Sequence, residues 1–215
     1  MINNQFRRKQ TFLTAAHCNP GFNDILMFNY QSPTCAGQNP GLSTQTVQGL
    51  TTLARSTTYD FHLMQVNEVI PASYNVFASG FDAAPSSQGE TKYNDVVGIH
   101  HPSIDVKKIS RSSSGATNSR YLGANGNSHW WVKTWELNRT PTATDYGTTE
   151  GGSSGSPLFN SNKQIIGQLH GGYAACGAGN VDDYYGATYQ SWNGGMSQHL
   201  VTNPATTSLN GAYLY

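Results

Sequence analysis

The chain has 215 residues and a mass of 23.3 kDa, enough for one large domain or two of about 100 residues with a real core. Only 11% of its residues are charged, against about 25% in an average soluble domain, and Ser, Thr, Asn, Gln, Gly and Tyr supply the polarity instead, as suits an extracellular β-protein. Twelve basic and twelve acidic residues cancel, which leaves no field for nucleic acid or an anionic membrane, and no apolar run reaches the roughly 18 residues that span a bilayer.

In chain order, strand-like segments fall at Thr11–Thr14, Asp24–Tyr30, Phe61–Val66, Asn75–Ala78, Val96–Ile99 and Gln164–Leu169, separated by Gly, Pro, Asn and Ser clusters such as Asn19-Pro20-Gly21 and Gln38-Asn39-Pro40-Gly41. Many short strands at this spacing indicate an all-β barrel or sandwich. Helical periodicity is scarce; a short helix is expected near Met196–Val201, before Pro204. The turn at Pro71-Ala72-Ser73 divides the chain into 1–72 and 73–215. The opening MINNQFRRKQ has no apolar stretch resembling an export signal, so a soluble, monomeric protein is expected. Cys18, Cys35 and Cys176 are an odd set with no CxxC or Cys/His cluster that would bind zinc. At least one therefore lacks an intrachain partner, leaving open a free thiol, an intermolecular bridge or partners outside this chain.

Three segments carry chemistry. Gly151-Gly152-Ser153-Ser154-Gly155-Ser156-Pro157 is a loop of small residues running toward the apolar strand Gln164–Leu169, a setting in which a serine hydroxyl projects from a tight turn beside accessible backbone N–H groups. Leu13-Thr14-Ala15-Ala16-His17-Cys18 delivers a histidine at a strand end, and an imidazole with its ordinary pKa of about 6.5 serves as base and then acid. Tyr59-Asp60-Phe61 places a carboxylate before an apolar strand. Taken singly, these are also an ordinary turn, a half-buried histidine and a solvated aspartate.

Together, in the order His17, Asp60, Ser154 and spaced by 43 and 94 residues, they resemble the trypsin/chymotrypsin superfamily. The resemblance narrows to the bacterial lysyl endopeptidases through Phe12–Cys18, Asn29-Tyr30-Gln31, Thr34-Cys35, Asp60-Phe61, Ile99-His100-His101-Pro102 with Lys108-Ile109-Ser110, Gly152–Pro157, Gly167-Gln168-Leu169-His170-Gly171-Gly172 and Tyr185-Gly186. It implies two antiparallel six-stranded Greek-key barrels, with His17 and Asp60 on the first and Ser154 on the second. It also implies a secreted serine endopeptidase acting on polypeptides without cofactor or metal: Ser154 as nucleophile, His17 as proton shuttle, Asp60 as its orienter, and the N–H groups of Gly152 and Ser154 as oxyanion hole.

The trypsin-type pocket aspartate, six residues before the nucleophile, is replaced by Thr148. The family instead implies a pocket carboxylate shortly before Tyr-Gly, which falls on Asp183, with Asp182 as the competing assignment. His170 matches a cleft histidine, and Gly171 and Gly172 leave room for a substrate backbone. The family packs a tryptophan near the catalytic histidine, in a loop that corresponds to Arg120–Gly126; this sequence departs from it, with Tyr121 or Leu122 there. His100 and His101 have no role in the triad, and a structural one is expected rather than a metal site. The resemblance further implies that the N-terminal barrel lacks its first strand, and that Cys18, Cys35 and Cys176 have disulfide partners upstream of this chain. Ser153, directly before the nucleophile, is neutral where trypsin-like zymogens carry the aspartate that pairs with a new N-terminus. Two other readings stay open: a glutamyl specificity through Thr149 and His170, and a non-catalytic fragment that keeps the fold.

Overall fold

The computed structural model describes residues 1–6, 9–34, 41–122, 126–136, 147–178 and 182–215. Cys35 and parts of the loops around 123–125, 137–146 and 179–181 lie outside these residues.

The described chain is almost entirely β. Strands β1 (Thr11–Ala15), β2 (Ile25–Met27), β3 (Thr46–Gln48), β4 (Leu50–Ser56) and β5 (Phe61–Val66) form its first part. β1, β5 and β4 make one antiparallel sheet in that order, and β2 pairs with β3. β5 buries both faces: Phe61 and Leu63 enter a large core, while Met64 and Val66 join Val47, Leu50 and Ile70 in a smaller one. A strand covered on both sides loses the apolar/polar alternation and reads as a short apolar run.

β6 (Phe77–Ala78), β7 (Phe81–Asp82), β8 (Thr91–Tyr93), β9 (Val96–His100), β10 (Lys108–Ser112), β11 (Ala116–Ser119), β12 (His129–Val132), β13 (Pro157–Phe159), β14 (Ile165–Gly172) and β15 (Asp183–Ala187) follow, with β16 (Ser208–Leu209) and β17 (Ala212–Tyr213) at the end. The main sheet runs β10-β9-β13-β14-β15-β12-β11-β8, with β7 and β16 added at β14. Every pairing in it is antiparallel except β7 with β14. Trp130, Trp135, Tyr185, Phe81, Leu158 and Ile166 fill the core beneath it.

The helical segment expected near Met196–Val201 begins earlier, with α1 (Thr188–Ser191), passes through a wider turn at Trp192–Met196, and ends with α2 (Ser197–Leu200). β2 is shorter than the Asp24–Tyr30 pattern. Ile25 and Met27 lie exposed on its uncovered face, and Asn29 turns the chain through a left-handed φ of 55°. Cys18 and Cys176 are exposed and not bonded to each other, and no disulfide joins any of the described residues. No described helix is long and apolar enough to cross a membrane.

Candidate active site

β1 ends in a 3-10 turn, Ala16–Cys18, which lifts His17 out of the sheet. Arg55 on β4 donates from Nη2 to Ala16 O at 2.9 Å and braces that turn. Asp60 enters β5 with a left-handed φ of 52°, a conformation that aspartate tolerates better than most residues. That twist points its carboxylate back at the turn. Asp60 Oδ1 accepts the His17 backbone N–H at 2.9 Å, and Oδ2 accepts His17 Nδ1–H at 2.8 Å. The carboxylate is buried while the imidazole stays open to solvent, so the second ring nitrogen, Nε2, is left for chemistry.

The Gly151–Pro157 loop reaches this pair through Gly155. A Cβ on Gly155 would lie 2.2 Å from Thr14 Oγ1 and 2.7 Å from Ala15 N, so the loop packs directly on the strand end that carries His17. Gly155 also has a φ of 77° and donates to Leu169 O at 2.8 Å. Next to it Ser154 is half-buried, and its hydroxyl makes no hydrogen bond among the described residues. The N–H groups of Ser153, Gly155 and Ser156 are all engaged by carbonyls. Those of Gly152 and Ser154 have no acceptor among the described residues, and the φ of 93° at Gly152 turns the backbone at that point.

His170 stands beside both Asp60 and the His17 ring. The β14–β15 register shifts between Leu169 and Gly171, so His170 is the extra residue of a bulge, and a bulge re-aims a side chain. Its Nε2 is 3.8 Å from Asp60 Oδ2 and its ring lies stacked 5.6 Å from that of His17. Tyr121 stacks on its other face at 3.7 Å and 7°; of the two candidates in that loop, Tyr121 supplies the ring. His129, on β12, faces His170 Nδ1 from Nε2 at 2.9 Å, and Ser128 Oγ lies 2.6 Å from His129 Nδ1. Burial, with His170 beside it, holds the pKa of His129 down at about 3. Burial also lowers that of His170, with His17 adding to the effect and Asp60 opposing it. His17, Asp60 and His170 each place a donor atom within 4.8 Å of the others.

Asp183 opens β15 opposite Gly172. Its Oδ2 accepts Trp135 Nε1–H at 2.7 Å and Thr149 Oγ–H at 2.7 Å, while Oδ1 is buried with no partner among the described residues. Burial pushes its pKa up to about 6, neighbouring Asp182 adds to this, and the Thr149 and Trp135 bonds oppose it. A Cβ on Gly172 would meet Asp183 Oδ1 at 2.7 Å, so this carboxylate oxygen faces a strand position that only glycine leaves open. Asp182 is engaged separately, accepting Trp131 Nε1–H at 2.8 Å. His129 and Trp135 escape a reading of the sequence because their partners lie 41 and 48 residues away.

The family profile described as lysyl endopeptidase, C-terminal domain, matches residues 1–186. Among solved structures, the thermostable serine protease AL20 from an extremophilic microorganism has a TM-score of 0.56 at 14% identity, with 94% of this chain and 89% of that one covered. The inactive form of a mutant of Rv3671c from M. tuberculosis H37Rv has a TM-score of 0.46 at 14% identity, over 92% of this chain and 78% of that one. A family profile that spans most of the chain and a fold shared with a solved serine protease lead to one conclusion: the chain belongs to the lysyl endopeptidase C-terminal-domain family of serine proteases.

Proposed function

We propose that this protein is a secreted endopeptidase that cleaves after lysine, through an acyl-enzyme formed on Ser154. In this reading Ser154 Oγ attacks the peptide carbonyl while His17 Nε2 takes its proton. Asp60 fixes the Nδ1–H tautomer of His17 and balances the imidazolium that forms. The oxyanion turns toward the N–H groups of Gly152 and Ser154, neither of which has an acceptor among the described residues. His17 then protonates the leaving amine, and water repeats the sequence on the ester. Residues 1–72 carry His17 and Asp60, and residues 73–215 carry Ser154 and the pocket.

The observation that carries the lysine reading is Asp183: one carboxylate oxygen is held by Trp135 and Thr149, and the other is buried beside Gly172 with no partner among the described residues. A buried oxygen without a donor is costly, and an incoming ammonium supplies that donor as a charge-assisted bond. A glutamyl side chain would bring a second negative charge to the same place. The engagement of Thr149 with Asp183 argues against Thr149 serving as an acid receptor. Gly171 and Gly172 leave one edge of β14 clear for substrate backbone.

Mapping cleavage sites of the full-length secreted form on a mixed peptide library tests this reading. Cuts should follow Lys far more often than Arg and scarcely follow Glu, and an organophosphonate should label wild type but not Ser154→Ala. Dominant cleavage after Glu would overturn the lysine pocket, and labelling that survives Ser154→Ala would move the nucleophile.

A further inference from the structure

His100 is buried to 1% exposure at the end of β9, outside the triad, with both ring nitrogens engaged. Nδ1 lies 2.9 Å from Ser153 Oγ and Nε2 lies 3.0 Å from Ser110 Oγ. The neighbours decide the tautomer. Ser110 sends its own proton to Thr148 O at 3.2 Å, so its oxygen must accept from His100 Nε2–H. The Glu150 N–H donates to Ser153 Oγ at 3.3 Å, so the Ser153 proton is free for His100 Nδ1. A neutral imidazole with its hydrogen on Nε2 satisfies every partner.

The groups with charge around this ring are few. Burial and, after it, His101 next in the chain disfavour a proton on it, Glu150 from the facing loop favours one, and the balance holds its pKa at about 4. Protonation would put a hydrogen on Nδ1, and the Ser153 hydroxyl would have to turn its own proton away and accept instead. The loop also leans on the turn that follows β9: Ser103 N–H donates to Gly151 O at 2.7 Å, and a Cβ on Gly152 would lie 3.2 Å from His101 O. A cavity of about 400 Å³, lined in part by Leu13, His101 and Lys107, also borders Gly152–Pro157.

We propose that His100 is a positioning residue for the oxyanion site: as a neutral clamp on Ser153 it fixes the peptide units that present the N–H groups of Gly152 and Ser154. This rests on the assignment of Ser154 as nucleophile. Ser153 occupies the position where trypsin-like zymogens use a charged aspartate, and here an uncharged hydroxyl–imidazole bond does the holding. The arrangement needs no new N-terminus to complete it.

The test uses the full-length enzyme, with every rate expressed per Ser154 titrated by an organophosphonate. His100→Leu removes the acceptor for Ser153. His100→Asn places an amide oxygen near the old Nδ1 position and restores it. Ser153→Ala removes the hydroxyl without touching β9. Loss of a whole oxyanion donor costs about 100- to 1,000-fold, so slackening two of them should lower kcat by about 10- to 100-fold. His100→Leu and Ser153→Ala should each show that loss with KM within about threefold, the double variant should lose no more than either, and His100→Asn should recover to within about threefold of wild type. The proposal is overturned if His100→Leu keeps kcat within twofold, if His100→Asn falls as far as His100→Leu, or if the two single losses multiply. Failure of wild type to be labelled at Ser154 would instead overturn the nucleophile assignment, which separates the two.

Discussion

Replacing Asp183 with Asn should make this protein more stable and much less active on lysine. The folded-state carboxyl titrates at about 6 against 3.8 unfolded, a rise of about two units and so a cost of about 3 kcal/mol once it is ionised. Because the folded value is the higher one, the cost is absent below about pH 4, grows between about pH 4 and 6, and is complete above that. Asparagine is a neutral isostere of the protonated acid, and its amide oxygen can keep the Trp135 and Thr149 bonds. At pH 8 the variant should gain about 2–3 kcal/mol, or roughly 5–10 °C in Tm for a chain of this size. At pH 4 the two proteins should melt together. Turnover of lysyl substrates should meanwhile fall by the 2–5 kcal/mol typical of removing one partner of a buried ion pair, about 30- to 5,000-fold in kcat/KM. Thermal melts from pH 4 to 8, paired with lysyl-ester kinetics, measure both. A variant that is less stable at pH 8, with a Tm difference that ignores pH, would mean the carboxylate is internally compensated, and lysyl turnover within threefold of wild type would mean it does not face the substrate.

Three further outcomes follow from the same geometry. Trp135→Phe removes one of the two donors to Asp183 Oδ2, so the acid limb of lysyl kcat/KM should move to higher pH; a pH–rate profile that stays put or shifts downward would refute the role of Trp135. Gly155→Ala forces a Cβ onto the Thr14–Ala15 backbone at a left-handed φ, and should cost more than about 2 kcal/mol in urea unfolding with most of the activity, given about 1–2 kcal/mol for the conformation alone. Tyr121→Ala removes the ring stacked on His170, an aromatic contact worth about 0.5–1.5 kcal/mol, and should lower kcat/KM severalfold, whereas Tyr121→Trp should match or exceed wild type in the same steady-state assay.

The sequence was most informative where chemistry is local. Thr11–Thr14, Phe61–Val66 and Val96–Ile99 fall within a residue of β1, β5 and β9, because β-branched and aromatic runs bounded by turn residues specify strands on their own. β12 and β15, His-Trp-Trp-Val and Asp-Tyr-Tyr-Gly-Ala, went unmarked; both are largely covered on their two faces, which erases the alternation that identifies a half-buried strand. The pairing of His17 with Asp60 is anticipated by motif order. The chain of Ser128, His129 and His170 is not, since a hydrogen bond between strands far apart in sequence leaves no periodic trace. Asp183 was placed by position relative to Tyr185-Gly186, but its two donors, Trp135 just after β12 and Thr149 in the segment before β13, become visible only in the folded chain.

The bulge at His170 separates two demands that a regular strand would tie together. With one additional residue in β14, His170 turns toward Asp60 while Gly172 still lies opposite Asp183. Deleting that residue would join Leu169 to Gly171 in regular register and keep Gly172 opposite Asp183, but the imidazole beside Asp60 would be gone. The residue in the bulge can therefore change without moving the glycine that faces the Asp183 carboxylate, and the surroundings of Asp183 can change without moving the imidazole.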